Sequence, residues 1–181
     1  MNLRIIAGQF GGRIIKAPDG RITHPMSDRV RGSLFNIINE RLPGADVLDV
    51  FAGTGSLGLE ALSRGANSAS FVERDKIASR ILQENIESLG VVDNAKSVKI
   101  GLSTWLDINQ DKKFDIIFAD PPYNDMQFSS VARLADVLKD EGLLVLSYPE
   151  KTQLPDFANL EKIDDRNYGT ANLGFYIKEA S

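Results

Sequence analysis

The 181-residue chain has no cysteine and a single histidine, His24. The first absence excludes disulfides and thiolate metal sites and suits a reducing compartment. The second leaves too little imidazole for a zinc site or a serine–histidine–aspartate hydrolase, so no metal is expected. No apolar run approaches the ~18 residues of a membrane span, and no signal-peptide core is visible. A cytoplasmic protein with no membrane partner is therefore expected. Repeats and linker-like stretches are also missing. The chain reads as one domain, residues 1–181, with a basic N-terminal hairpin and arm over 1–26 and an α/β core over 27–181.

Hydrophobic content of 43% and charged content of 25% are ordinary for a globular protein and exclude a disordered one. The net charge of −4 argues at first against nucleic acid. Its distribution argues the other way. Residues 1–31 hold Arg4, Arg13, Lys16, Arg21, Arg29 and Arg31 against only Asp19 and Asp28, so the excess negative charge lies entirely in the remainder. A basic arm on an acidic body can track phosphates, because only the contacting face matters. Arg29 and Arg31 fall about 200° apart on a helix, so they cannot both serve one contact.

Leu3–Ala7 and Arg13–Lys16, separated by glycines, read as a hairpin. Ser27 is a candidate N-cap for a helix whose apolar stripe runs from Val30 to Leu42, before Pro43-Gly44. From Ala45 the pattern alternates. Strands are expected at Val47–Phe51, Ser68–Glu73, Ser97–Gly101, Phe114–Ala119 and Leu143–Tyr148. Helices are expected at Ser56–Arg64, from Asp75 to Gly90 with Ile77, Ile81, Leu82, Ile86 and Leu89 inward, around Trp105, and at Gln127–Lys139. Two further strands, Leu160–Asn167 and Asn172–Lys178, follow without a helix between them and should form an antiparallel hairpin at the edge. The result is a doubly wound, seven-stranded, mostly parallel sheet.

The stretch Val47–Gly58 begins as a buried strand, turns on Gly53 and Gly55, and opens a helix at Ser56. Gly53, Gly55 and Gly58 stand at the spacing G-x-G-x-x-G, which NAD, FAD and S-adenosylmethionine sites share. Asp49 discriminates among them. A pyrophosphate over the helix N-terminus would be repelled by it, whereas an ammonium and a sulfonium are attracted. We therefore read Asp49, Phe51, Gly53, Thr54, Gly55 and Gly58 as a methyl-donor loop; the plain alternative is a glycine-rich turn with no ligand. Glu73, twenty residues after Gly53, stands where a carboxylate accepts both ribose hydroxyls, and Arg74 beside it is a candidate cover for the adenine.

Asp120-Pro121-Pro122-Tyr123, at the end of another strand, suits methylation of an exocyclic amine. The lone pair of such a nitrogen is delocalised into its ring. Two acceptors on its two N–H bonds, the Asp120 carboxylate and the Pro121 carbonyl, would push it toward tetrahedral geometry. Pro122 stiffens the turn, and Tyr123 offers a face on which a base can stack, worth roughly 1–3 kcal/mol. A paired base must be extracted first, and phosphate contacts from Arg4, Arg13, Arg21, Arg29 and Arg31 give the arm a physical use.

Taken in order, Arg4-Ile5-Ile6-Ala7-Gly8, Ser27-Asp28-Arg29-Val30-Arg31 with Leu34-Phe35-Asn36, Leu48 through Ala66, and Asp120-Pro121-Pro122-Tyr123 resemble the RsmD family. These bacterial methyltransferases modify the N2 amine of one guanine in small-subunit ribosomal RNA. The resemblance implies a class I, Rossmann-like methyltransferase fold, S-adenosyl-L-methionine as donor, and ribosomal RNA, within a small-subunit particle, as partner. Two departures stand out. His24 and Met26 flank Pro25 where the family often has arginine and threonine. The loop after the third core strand reads Gly101-Leu102-Ser103, where the family usually carries an acid for the adenine amine; backbone groups or Ser103 are then left to hold it. Other targets of the same tetrad stay open, namely adenine N6 or a glutamine amide. So do two other classes: an NAD-binding oxidoreductase, which Asp49 opposes, and a non-catalytic RNA-binding protein, which the intact tetrad opposes.

Overall fold

The computed structural model describes residues 2–19 and 26–181, so Arg21, His24 and Pro25 lie outside the described residues. Two short strands, β1 (Asn2–Arg4) and β2 (Ile14–Lys16), pair antiparallel as the expected hairpin, though each is shorter than the sequence suggested. Helix α1 (Asp28–Ile38) starts at Ser27, whose hydroxyl accepts the Val30 N–H at 3.2 Å, with Asp28 favourable in its first turn. A short 3-10 turn carries the chain to Leu42.

The core then alternates: β3 (Asp46–Val50), α2 (Ser56–Ser63), β4 (Ser68–Glu73), α3 (Lys76–Leu89), β5 (Ala95–Lys99), α4 (Leu102–Ile108), β6 (Phe114–Ala119), α5 (Phe128–Arg133), β7 (Leu138–Tyr148), β8 (Leu160–Asn167) and β9 (Asn172–Lys178). The sheet order is β5-β4-β3-β6-β7-β9-β8, parallel through β7 and antiparallel at β9 and β8. This is the expected doubly wound sheet with its edge hairpin. The order reverses between β3 and β6, which opens a crevice beyond their C-terminal ends.

Alternation along β3 decides what each face receives. Leu48 and Val50 join a cluster with Trp105, Met126 and Leu146, under α4 and α5, while Val47 packs with Phe118, Val145 and the α1 residues Leu34 and Phe35. A third cluster, around Phe71, Leu82 and Ile86, seats α2, α3 and Ile5 and Ile15 of the arm.

Two expectations are corrected. The helix expected over Gln127–Lys139 ends at Arg133, passes through a 3-10 turn at Leu134–Val137, and becomes strand at Leu138. Val131, Leu134, Ala135 and Leu138 are all buried as the helical period implies, but pairing of Leu138 with Phe114 wins the last turn. Ile77, assigned to the inner face of α3, is 56% exposed; the inward set begins at Ala78.

The arm is fastened by Glu60 of α2, which has no solvent exposure. One carboxylate oxygen accepts the Ile6 N–H at 2.8 Å, the other the Ala7 N–H at 3.1 Å and the Arg64 guanidinium at 2.9 Å. Ser63 adds a hydroxyl that accepts the Phe10 N–H and donates to the Ala7 carbonyl. Gly8 must be glycine here, since a Cβ would stand 2.0 Å from the Ser63 carbonyl oxygen. Removing one partner of a buried charge network costs about 3–5 kcal/mol. Glu60→Ala is therefore expected to lower the thermal midpoint by on the order of 10 °C, measured by circular dichroism.

Candidate functional site

The crevice is built by the ends of β3, β4 and β6 and the turns that follow. After Val50 the chain leaves β3 through Phe51, a non-glycine residue at φ 56°, and then Gly53 and Gly55 at φ 58° and 89°. Strain of this kind, held by packing, often marks a ligand turn. A Cβ on Gly53 would meet nothing within 4 Å, so its face is open. Gly55 and Gly58 face inward instead, where a Cβ would lie 2.3 Å from Leu82 and Phe71 respectively. Gly53 thus presents bare backbone, and the other two let α2 settle on α3 and β4.

Asp49 is buried, and its Oδ2 accepts the Gly58 N–H at 2.9 Å, capping α2 from the neighbouring strand. Burial holds its carboxyl well above the ordinary range; the Gly58 bond opposes this, and Asp120 and Glu73 add to it by repulsion. Glu73 is half-buried and ties the turn to β4: Oε1 accepts the Gly53 N–H and Oε2 the Asp75 N–H, each at 2.8 Å. Each oxygen keeps further acceptor capacity. Thr54 is buried, and its carbonyl accepts from Asn85 at 3.0 Å. Exposed Arg74 stands 4.0 Å from Asp125, on the turn after Tyr123, so the two reach across the crevice. Ser103, on α4, is exposed and accepts from Arg133 at 3.4 Å. Gly101 precedes it, with nothing within 4 Å of an added Cβ.

Asp120 follows directly on β6, and burial raises its carboxyl to about 6, with the Ser147 hydroxyl drawing it down. Pro121 is buried, whereas Pro122 and Tyr123 are exposed; the Pro122 carbonyl accepts the Asp125 N–H at 2.9 Å and closes the turn. Tyr123 keeps 40% of its surface, and its hydroxyl lies 2.8 Å from that of Ser147 on β7.

Three carboxylates therefore converge on one crevice with an open glycine turn between them. This set of acceptors suits a ligand carrying positive charge and hydroxyl groups, such as S-adenosylmethionine, and repels a pyrophosphate. Among the described residues, no group of three or more His, Asp or Glu could hold a metal, and no helix is long and apolar enough to cross a membrane.

The arginines separate. Arg4 and Arg29 are exposed, Arg4 with Asp28 at 3.5 Å; Arg13 is exposed and donates to the Ser88 carbonyl at 2.8 Å. Arg31 is the correction. It has no solvent exposure and is committed to the Arg4 carbonyl and to Asp28 at 2.9 Å, with Glu60 4.0 Å away. It holds the arm against α1 and α2 and cannot reach a phosphate.

Three functional neighbours escaped the sequence reading: Glu60, Asn85 and Ser147. Asn85 is buried; its amide donates to the Lys16 and Thr54 carbonyls, and its oxygen accepts the Lys16 N–H at 2.8 Å. It thereby joins the arm to the glycine turn. Each of the three is a polar residue at an inward position of an apolar pattern, which is the signal that could have found them.

The family described as Conserved hypothetical protein 95 matches residues 3–177. Among curated proteins, the chain is 34% identical to Ribosomal RNA small subunit methyltransferase D of Escherichia coli (strain K12), covering 98% of this chain and 91% of that one. It is 32% identical to Putative rRNA methyltransferase YlbH of Bacillus subtilis (strain 168), covering 97% and 99%. Among solved structures, Putative methyltransferase yhhF from Escherichia coli superposes with a TM-score of 0.89 at 34% identity over 100% of both chains. The fold is that of the methyltransferases.

The crevice makes a titration visible without any ligand. The Asp120 carboxyl is expected to titrate with a midpoint of about 6 in carbon-detected NMR. The assignment is checked by loss of that curve in Asp120→Asn.

Proposed function

The chain belongs to the RsmD family, and on that premise we propose that it transfers a methyl group from S-adenosylmethionine to the N2 amine of a guanine in small-subunit ribosomal RNA. The observation that carries this reading is the adjacency of Asp120 and Tyr123, at the end of β6, to the open glycine turn that ends β3, its partner strand. Residues 1–181 act as one methyltransferase domain, in the cytoplasm, on RNA within the small-subunit particle.

S-adenosylmethionine supplies an electrophilic methyl on a positively charged sulfur. The chain's own residues do the rest. Asp49, one oxygen committed to Gly58, offers the other to the donor's ammonium. Glu73 accepts the ribose hydroxyls, while Phe51, Gly53, Thr54 and Gly55 shape the wall and Arg74 and Ser103 lie at the adenine end. The target base stacks on Tyr123. Asp120 and the Pro121 carbonyl accept the two N–H bonds of its amine, concentrating the lone pair on nitrogen and aiming it along the axis of transfer. As the new N–C bond forms, the amine becomes acidic, and a carboxylate with a pKa of about 6 can take the released proton. Arg4, Arg13 and Arg29, with Arg21 in the segment outside the described residues, meet phosphates around the extracted base.

The test is methyl transfer from radiolabelled donor to small subunits isolated from a strain lacking the gene, with nucleosides read by mass spectrometry. N2-methylguanosine is expected; N6-methyladenosine instead would transfer the reaction to adenine. Asp120→Ala is expected to lose about 100-fold or more in kcat, with S-adenosylhomocysteine binding retained. Because the ionised carboxyl is the active form and its pKa is raised, activity should fall as pH drops through about 6.

A separate outcome concerns the adenine. Gly101 has room for a side chain and sits at φ −72°, a conformation open to any residue. Gly101→Asp is expected to fold normally and to bind S-adenosylhomocysteine about 5-fold more tightly by calorimetry, through one added hydrogen bond.

A further inference from the structure

We propose that Ser147 is a positioning residue, linking the stacking tyrosine to the acceptor carboxylate through a directed chain of hydrogen bonds from Tyr123 to Ser147 to Asp120. The proposal rests on the amine-methylation reading of the site and assigns a role to a residue outside its motif.

The strand register makes the arrangement. Ala119 of β6 pairs with Leu146 of β7, so the next residue of each strand, Asp120 and Ser147, ends adjacent strands side by side. Alternation puts Val145 and Ser147 on the same face of β7, the face that carries Phe118 on β6. Ser147 is 2% exposed, a lone hydroxyl ending the apolar run Leu143–Leu146, and its Oγ lies 2.8 Å from the Tyr123 hydroxyl.

A serine hydroxyl carries one proton and accepts through its oxygen. A carboxylate only accepts. In the proposed chain the polarity follows: with the Ser147 proton given to Asp120, the serine oxygen accepts from Tyr123. The tyrosine ring is half solvent-facing, so without this tether it would sample several rotamers, and holding one lowers the entropy cost of stacking a base. The other end of the chain favours the ionised form of Asp120, opposing the burial that raises it. The remaining titratable groups around Asp120 are Asp49 on β3, with Glu73 beyond it on β4, and Tyr123 on the turn itself. Burial opposes ionisation of Asp120, and Ser147 is the group that favours it.

The variants Ser147→Ala, Ser147→Thr and Tyr123→Phe, beside the wild type and Asp120→Ala, are assayed for methyl transfer to small subunits across pH 5 to 8. Ser147→Ala should move the acid limb of kcat upward by about half to one pH unit and raise KM for the RNA substrate several-fold. Tyr123→Phe should raise KM but leave the limb in place, because Ser147 still donates to Asp120. Ser147→Thr, which keeps the hydroxyl, should return both values toward wild type. S-adenosylhomocysteine binding, measured for every variant, reports that the fold and the donor pocket are intact. A Ser147→Ala protein with unchanged limb and KM, or with kcat lowered equally at every pH, overturns the proposal while leaving the methylation reading standing. Near wild-type activity in Asp120→Ala overturns that reading and this inference with it.

Discussion

Like charge crowded into one crevice is the constraint around which the structure is arranged. Asp49, Glu73 and Asp120 stand at the ends of three adjacent parallel strands, and Asp120 and Glu73 add by repulsion to the burial that already disfavours ionising Asp49. For Asp120 the cause is burial, and the rise from 3.8 to about 6 corresponds to on the order of 3 kcal/mol. A carboxyl raised on folding leaves the native state unpenalised below the unfolded pKa, and the penalty grows as pH climbs to about 6. At neutral pH the folded chain carries the whole of it. Local devices hold the cost in check: Gly58 donates to Asp49, Gly53 and Asp75 donate to Glu73, and Ser147 serves Asp120. A cationic ligand would remove part of what remains, so the strain already present favours its binding.

The same backbone groups that restrain the acids also connect the crevice to the arm. Helix α2 begins at the glycine turn, is capped by Asp49, and one turn later presents Glu60 to Ile6 and Ala7. Helix α3 begins beside Glu73 and presents Asn85 both to Lys16 of β2 and to Thr54 in the turn. The arm is thus bonded to both helices that begin at the crevice. Buried Arg31 completes the attachment from α1, with two of its guanidinium nitrogens making no hydrogen bond. An unpartnered buried N–H is costly, so this contact is held by the packing around it.

Period and punctuation made most of the architecture legible in the sequence. Asp75 and Gly90 bracket α3 as N-cap and left-handed C-cap, and β4 and β6 fall where the apolar runs placed them. Legibility failed where one pattern satisfied two structures. The inward spacing from Val131 to Leu138 fits a continuous helix, yet it fits equally a short helix followed by a strand, and only pairing with Phe114 decides. Arg31 failed for another reason: charge content reads the same whether a side chain is solvated or buried. In the crevice, Asp49, Glu73 and Asp120 were visible because they end strands. Ser147, Asn85 and Glu60 were not, because each gains its meaning from a partner 24 or more residues away.

Under the proposed reaction, the distribution of charge sorts the parts of an RNA. Phosphates are repelled by a crevice holding three acids, and the effect is strongest within the ~8 Å screening length of physiological salt. The base is neutral and suffers no such repulsion. Arg4, Arg13 and Arg29 offer positive charge on the exposed arm and α1. A strand laid with its backbone on the arm and one base turned into the crevice satisfies both fields at once, whereas the reverse orientation satisfies neither. Orientation is therefore set by electrostatics before any base edge is read. The choice between guanine and adenine falls to contacts beyond the Asp-Pro-Pro-Tyr turn, since its two acceptors meet either exocyclic amine in the same way.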